Sequence, residues 1–108
     1  MNTERLQQLQ AYLAEEPDNP FLHYAVALEY RRTEPSRAEA LMDEVVVRFP
    51  NYLPALQTAA LWKSEAGRLS EATGLLQKAV ALAHKVGDAA ALRELEGLLR
   101  EMTGATDE

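Results

Sequence analysis

The sequence predicts an all-α protein built as a stack of antiparallel helix pairs, and three observations carry that prediction. Apolar residues recur at intervals of three and four, as in Leu6, Leu9, Leu13 and again Leu92, Leu95, Leu99, which is the period of an amphipathic helix. No sustained two-residue alternation competes with it. The β-branched run Val45-Val46-Val47 follows Ala40-Leu41-Met42 in a helical context. Finally, Pro17, Pro50 and His84 close three stretches of one pattern at steps of 33 and then 34 residues. A fixed period of this length marks stacked helical hairpins, which place function in a surface rather than in a catalytic site.

Breaks and caps divide the chain into about six helices. Thr3 caps the first, which runs to about Glu16 before Pro17. Asn19 caps the second, with Pro20 at the first helical position, where its missing N–H costs nothing, and that helix reaches about Arg32. Ser36 and Glu39 have the spacing of a capping box for the third, which ends before Pro50. Asn51 followed by Pro54 opens the fourth, and Gly67 ends it in a position suited to a left-handed turn. The fifth runs from Leu69 or Ser70 to about Lys85. Gly87-Asp88 closes it and caps the sixth, which extends to about Met102. Connections this short require consecutive helices to pack as antiparallel neighbours.

The predicted organisation is a single helical domain over residues 1–102 followed by a flexible tail, 103–108, which has no apolar period. With 108 residues, there is room for one continuous core. Seventeen acids against eleven bases give a net charge of −6, a field that repels a phosphate backbone, so nucleic acid is not an expected partner. Cysteine is absent, removing disulfides, thiolate catalysis and cysteine-based metal sites. The N-terminal segment lacks the apolar centre of a signal peptide, and charged or polar groups interrupt every apolar run. A soluble cytoplasmic protein without membrane contact is the expectation.

Chemistry finds little support in the residues. Phosphate-binding glycine loops, paired-histidine metal motifs and a nucleophile elbow are missing, so no catalytic residue, metal or cofactor is expected. His23 falls on a packing position and reads as a hydrogen-bonded, partly buried imidazole. Glu39 and Asp43, one turn apart, read as a solvated outer face.

The spacing resembles the tetratricopeptide repeat family. One unit reads His23-x-x-Val26-Ala27-x-x-Tyr30, Ala38-x-x-x-Met42-x-x-Val45, Pro50. The next reads Leu56-x-x-Ala59-Ala60-x-x-Lys63, Gly67, Ala72-x-x-x-Leu76-x-x-Ala79, with His84 at the proline position. Half-units flank them: Leu9, Tyr12, Leu13 and Pro17 fit a second helix, and Leu92, Leu95 and Leu99 a first helix, covering the ends of the stack. Departures are a first unit one residue short, with Glu34-Pro35 where the turn usually holds glycine, Lys63 in place of tyrosine and His84 in place of proline. The resemblance implies a right-handed α-solenoid and a non-enzymatic adaptor or scaffold that binds a peptide or an amphipathic helix in a concave groove. Carried over by register, the groove presents Phe21, Tyr24, Leu28 and Arg31, then Gln57, Leu61 and Ser64, then Arg93 and Arg100. Tyr24, Leu28 and Thr58 stand where some members carry the lysine and asparagine of a carboxylate clamp, so that clamp is not expected. The partner is a protein or peptide of unknown identity. An alternative reading is self-association through the same apolar face or the end near Leu92 and Leu99, giving a monomer or weak homodimer.

Overall fold

The computed structural model describes residues 3–104. Six helices follow one another: α1 (Thr3–Glu15), α2 (Pro20–Tyr30), α3 (Pro35–Arg48), α4 (Leu53–Glu65), α5 (Leu69–Val86) and α6 (Ala89–Thr103). Among the described residues there is no strand. The chain divides into two compact units after Pro50, the first containing α1 to α3 and the second α4 to α6.

In the first unit α2 packs against both α1 and α3. Its interior is Leu9 of α1, Leu22, Ala25, Val26, Ala27 and Tyr30 of α2, and Ala38, Met42 and Val45 of α3. Ala27 and Ala38 have no exposed surface, since helices meet closely only where side chains are small. In the second unit α5 takes the central place between α4 and α6. Ala60 and Ala72 are buried at the matching positions, Leu76 fills the place of Met42, and Leu95 is the buried residue of α6.

The helix ends follow local chemistry, with instructive exceptions. Asn19 accepts a hydrogen bond from Phe21 N–H at 3.0 Å, with Pro20 opening α2. Asp88 accepts from Ala91 N–H at 3.0 Å to cap α6. Gly67 and Gly87 take left-handed conformations, φ +81° and +75°, as a turn off a helix end requires. The predicted capping box at Ser36 does not form. Pro35 occupies the first turn and Glu34 is the cap residue without a side-chain bond, so Ser36 already lies inside the helix. Proline's preset φ fixes this start two residues earlier. Tyr52, not Asn51, precedes α4. Thr3 is already helical. At the other end α6 includes Thr103, whose Oγ1 donates to Leu99 O at 2.9 Å, and left-handed Gly104 follows. The rest of the expected tail, 105–108, lies outside the described residues.

The absence of a proline at 84 has a visible consequence. Helices α1 and α3 each stop two residues before a proline, Pro17 and Pro50. Where His84 replaces it, α5 continues to Val86 and stops only at Gly87, because a histidine retains the N–H and lacks the ring clash that would break the ladder.

Candidate functional site

Helix α2 is apolar around nearly its whole circumference: Pro-Phe-Leu-His-Tyr-Ala-Val-Ala-Leu-Glu-Tyr contains one charge, Glu29. A helix of this composition is normally covered on all sides. Here Leu22, Ala25, Val26, Ala27 and Tyr30 are buried, but another arc is less covered. Phe21, Tyr24, Leu28 and Arg31, spaced three, four and three, share that arc. Phe21 is 53% exposed and Leu28 39%, while Tyr24 and Arg31 are half-buried. The four residues carried over by register for this helix therefore stand on one stripe. Glu29 is turned to α1, where Arg5 Nε lies 2.7 Å from its Oε2.

The second unit presents a different surface. Gln57, Leu61 and Ser64 share a stripe on α4, all half-buried. Gln57 Nε2 donates to Glu94 Oε2 on α6 at 3.4 Å. Arg93 and Arg100, seven residues apart on α6, are exposed. The large exposed apolar side chains of the predicted set thus belong to α2. Exposed Arg32, not singled out from the sequence, lies in the turn that follows α2.

His23 behaves as a packing residue. Its Nε2 lies 2.7 Å from Pro17 O; a carbonyl has no proton to give, so the imidazole donates. Arg48 Nη2 donates to the same oxygen at 3.0 Å and pairs with Asp18. The His23 ring sits 5.5 Å from that of Phe49. Together these groups fasten the α1–α2 turn to the end of α3. Beside them is a cavity of about 160 Å³ between the three helices, bordered by Leu13, Val26, Leu41 and Val45. That is below the roughly 300 Å³ at which small-molecule pockets begin. Glu39 and Asp43, expected on a solvated face, are half-buried on α3. Among the described residues no group of three or more His, Cys, Asp or Glu is placed to hold a metal ion, and no helix is long and apolar enough to cross a membrane.

Antiparallel helix pairs with buried alanines at matching positions define an all-α helical-repeat fold. Its type is that of the tetratricopeptide repeat, and solved structures bear this out. A solution structure of a tetratricopeptide repeat domain protein from Salinibacter ruber is 26% identical, with TM-score 0.76 over 85% of this chain and 94% of that one. A crystal structure from the same organism, under the same description, gives 26% identity and TM-score 0.74 over 82% and 100%. A protein from Bordetella parapertussis shares the fold at 23% identity, with TM-score 0.74 over 93% and 88%. No family model matches the sequence, and no curated protein matches it. The likeness supports a protein-interaction module in general.

Proposed function

We propose that the protein is a non-enzymatic adaptor of the tetratricopeptide type that holds a peptide or an amphipathic helix of a partner protein against the stripe Phe21, Tyr24, Leu28 and Arg31. The observation carrying this reading is the exposure of Phe21 and Leu28, 53% and 39%, on a helix otherwise buried on its apolar sides. Covering a large apolar side chain gains about 1.5–3 kcal/mol before costs, and a micromolar complex needs about 8 kcal/mol net. The partner's own apolar side chains must therefore contribute comparably, as an amphipathic helix does. In the second unit, Gln57, Leu61 and Ser64 on α4 and Arg93 and Arg100 on α6 are a separate candidate surface, apolar at Leu61 and otherwise polar or basic. A cytoplasmic location fits the interaction role.

The test is capture of partners from source cells on immobilised protein, with Phe21→Ser/Leu28→Ser in parallel and helicity checked by circular dichroism. A protein retained by the wild type and lost by the equally helical variant supports the reading. Equal capture by both removes it, and capture of further copies of the chain alone replaces it with self-association.

A further inference from the structure

Helix α1 sits on α2 with little of itself buried. Of its 13 residues only Leu9 is buried, against five residues in α2 and three in α3. Leu6 and Leu13 are half-buried, and Tyr12 is exposed. Near the start of α1, Arg5 Nε donates to Glu29 Oε2 on α2 at 2.7 Å. At the other end the turn is fastened rather than the helix. His23 and Arg48 both donate to Pro17 O, Arg48 pairs with Asp18, and Asn19 N–H donates to Glu16 O at 3.1 Å. Beneath the last turns of α1 lies the cavity of about 160 Å³, with Leu13 on one side and Val26, Leu41 and Val45 on the others. Atoms lining a void forfeit the dispersion contacts that a packed seat supplies. A helix of this length is marginal in water by itself, so this loose seat is what keeps α1 helical.

We infer that α1 is a displaceable cover, which opens as one unit while α2 and α3 stay folded. Such local openings occur where few apolar contacts are broken, and α1 breaks the burial of Leu9 and part of that of Leu6 and Leu13. The opening ends at the turn over 16–19, because Arg48 and His23 tie that turn to α2 and α3 and not to α1. It uncovers the arc of α2 that faces α1, marked by Glu29, which bonds Arg5, and by Val26, which shares the cavity with Leu13. At 100° per residue, this arc adjoins the stripe of Phe21, Tyr24 and Leu28 through Ala25. With α1 lifted, α2 presents one wide apolar face instead of a narrow stripe. The opening does not depend on the stripe being a binding surface, but its consequence for binding rests on that reading. A partner that covers both arcs binds the open state better and shifts the population toward it.

The deciding measurement is native-state hydrogen exchange of the full 108-residue chain, read amide by amide by NMR across urea concentrations below the unfolding transition. The amides of Gln7 to Glu15 should exchange together, about tenfold or more faster than those of Leu41 to Val45 in α3. Their urea dependence should be the shallower one, since a local opening exposes less surface than global unfolding. Leu9→Ala should speed the α1 amides about thirtyfold, or to the unprotected limit, with α2 and α3 still helical. Met42→Ala loosens the α2–α3 core and should speed the α3 amides while leaving α1 unchanged; Met42→Val replaces it if the alanine variant does not fold. One common rate and urea slope for α1, α2 and α3 would overturn the inference, as would acceleration of α1 by the Met42 variant to the same degree as α3. A rate that falls steadily from Gln7 to Glu15 and ignores Leu9→Ala is end fraying alone, and it overturns the inference too. None of these outcomes bears on whether the stripe binds a partner, which the capture experiment with Phe21→Ser/Leu28→Ser decides separately.

Discussion

The hairpins α2–α3 and α4–α5 have one register but solve the same packing problem with different chemistry. In the first, Tyr30 is buried and the Arg37 guanidinium stacks 4.4 Å over its ring. In the second, the equivalent positions hold Lys63, 6% exposed, and Glu71, with Nζ and Oε1 3.8 Å apart. A cation–π contact in one hairpin has become an ion pair in the other, and the cation has moved to the opposite helix. What does not change is shape: Ala27 and Ala38 recur as Ala60 and Ala72, all with no exposed surface. The repeat is thus defined by close approach at the alanines. Beside them, a long side chain with a complementary neighbour suffices.

The sharpest way to break the comparison is through the matched core residues. Met42 and Leu76 occupy one register position and both are fully buried. Met42→Ala and Leu76→Ala should each cost about 2–5 kcal/mol, a transfer loss plus a cavity, read by urea denaturation followed by helical circular dichroism. A cost below about 1 kcal/mol at either position would mean that the two hairpins are not packed alike. Next in size is His84→Pro, which converts the second unit to the form of the first. Because α5 passes through position 84 to Val86, proline there removes a helical hydrogen bond and clashes with the preceding turn. The expected loss is about 3 kcal/mol with reduced helicity. A neutral result would show that α5 ends before His84, as α3 ends before Pro50.

The interchange between positions 30/37 and 63/71 can be tested directly. Arg37 and Glu71 are more than half exposed, so Arg37→Ala and Glu71→Ala should each cost only about 1 kcal/mol. The Glu71→Ala cost should shrink further in high salt. Transplanting the first solution into the second unit, Lys63→Tyr/Glu71→Arg, should return stability to within about 1 kcal/mol of wild type, with the two changes strongly coupled in a double-mutant cycle. Independent, additive losses would show that each hairpin is built around its own pair.

Much of this architecture was legible because it rests on short-range rules. Helix number and most boundaries follow from the apolar period and from Pro20, Gly67, Gly87 and Asp88, whose roles depend on their immediate neighbours. The capping box at Ser36 was misread because two local signals compete there, and the preset φ of Pro35 outweighs serine's capping preference. The length of α5 was legible from Gly87, which put its end at about Lys85, one residue short of Val86. Site residues were less accessible. Register puts Phe21, Tyr24, Leu28 and Arg31 on one stripe, yet the same spacing describes the buried Val26 and Tyr30. Which arc of an apolar helix stays open depends on the neighbours that cover the others, a long-range property. Tyr12 makes the same point: it holds the register place of Val45 and Ala79, which are 3% and 0% exposed, yet is itself 54% exposed.

The smallest expected effects separate the two kinds of glycine in the second unit. Gly67 closes α4 at φ +81°, and Gly74 lies inside α5 with an ordinary helical φ. A Cβ added at either would meet nothing within 4 Å. Sterics are therefore removed from the comparison and only backbone preference remains. Gly67→Ala forces an L-residue into the left-handed region and should cost about 1 kcal/mol. Gly74→Ala reduces the freedom of the unfolded chain without strain and should stabilise by roughly 0.5–1 kcal/mol. Opposite shifts in the urea midpoint, at equal slope, are the expected signature. The first hairpin has no glycine at its turn: Glu34 N–H returns to Tyr30 O at 2.7 Å, and Pro35 starts α3 at once. If Gly67→Ala proved neutral, α4 would be able to end as α2 does, and the extra residue in the second turn would not need its left-handed glycine.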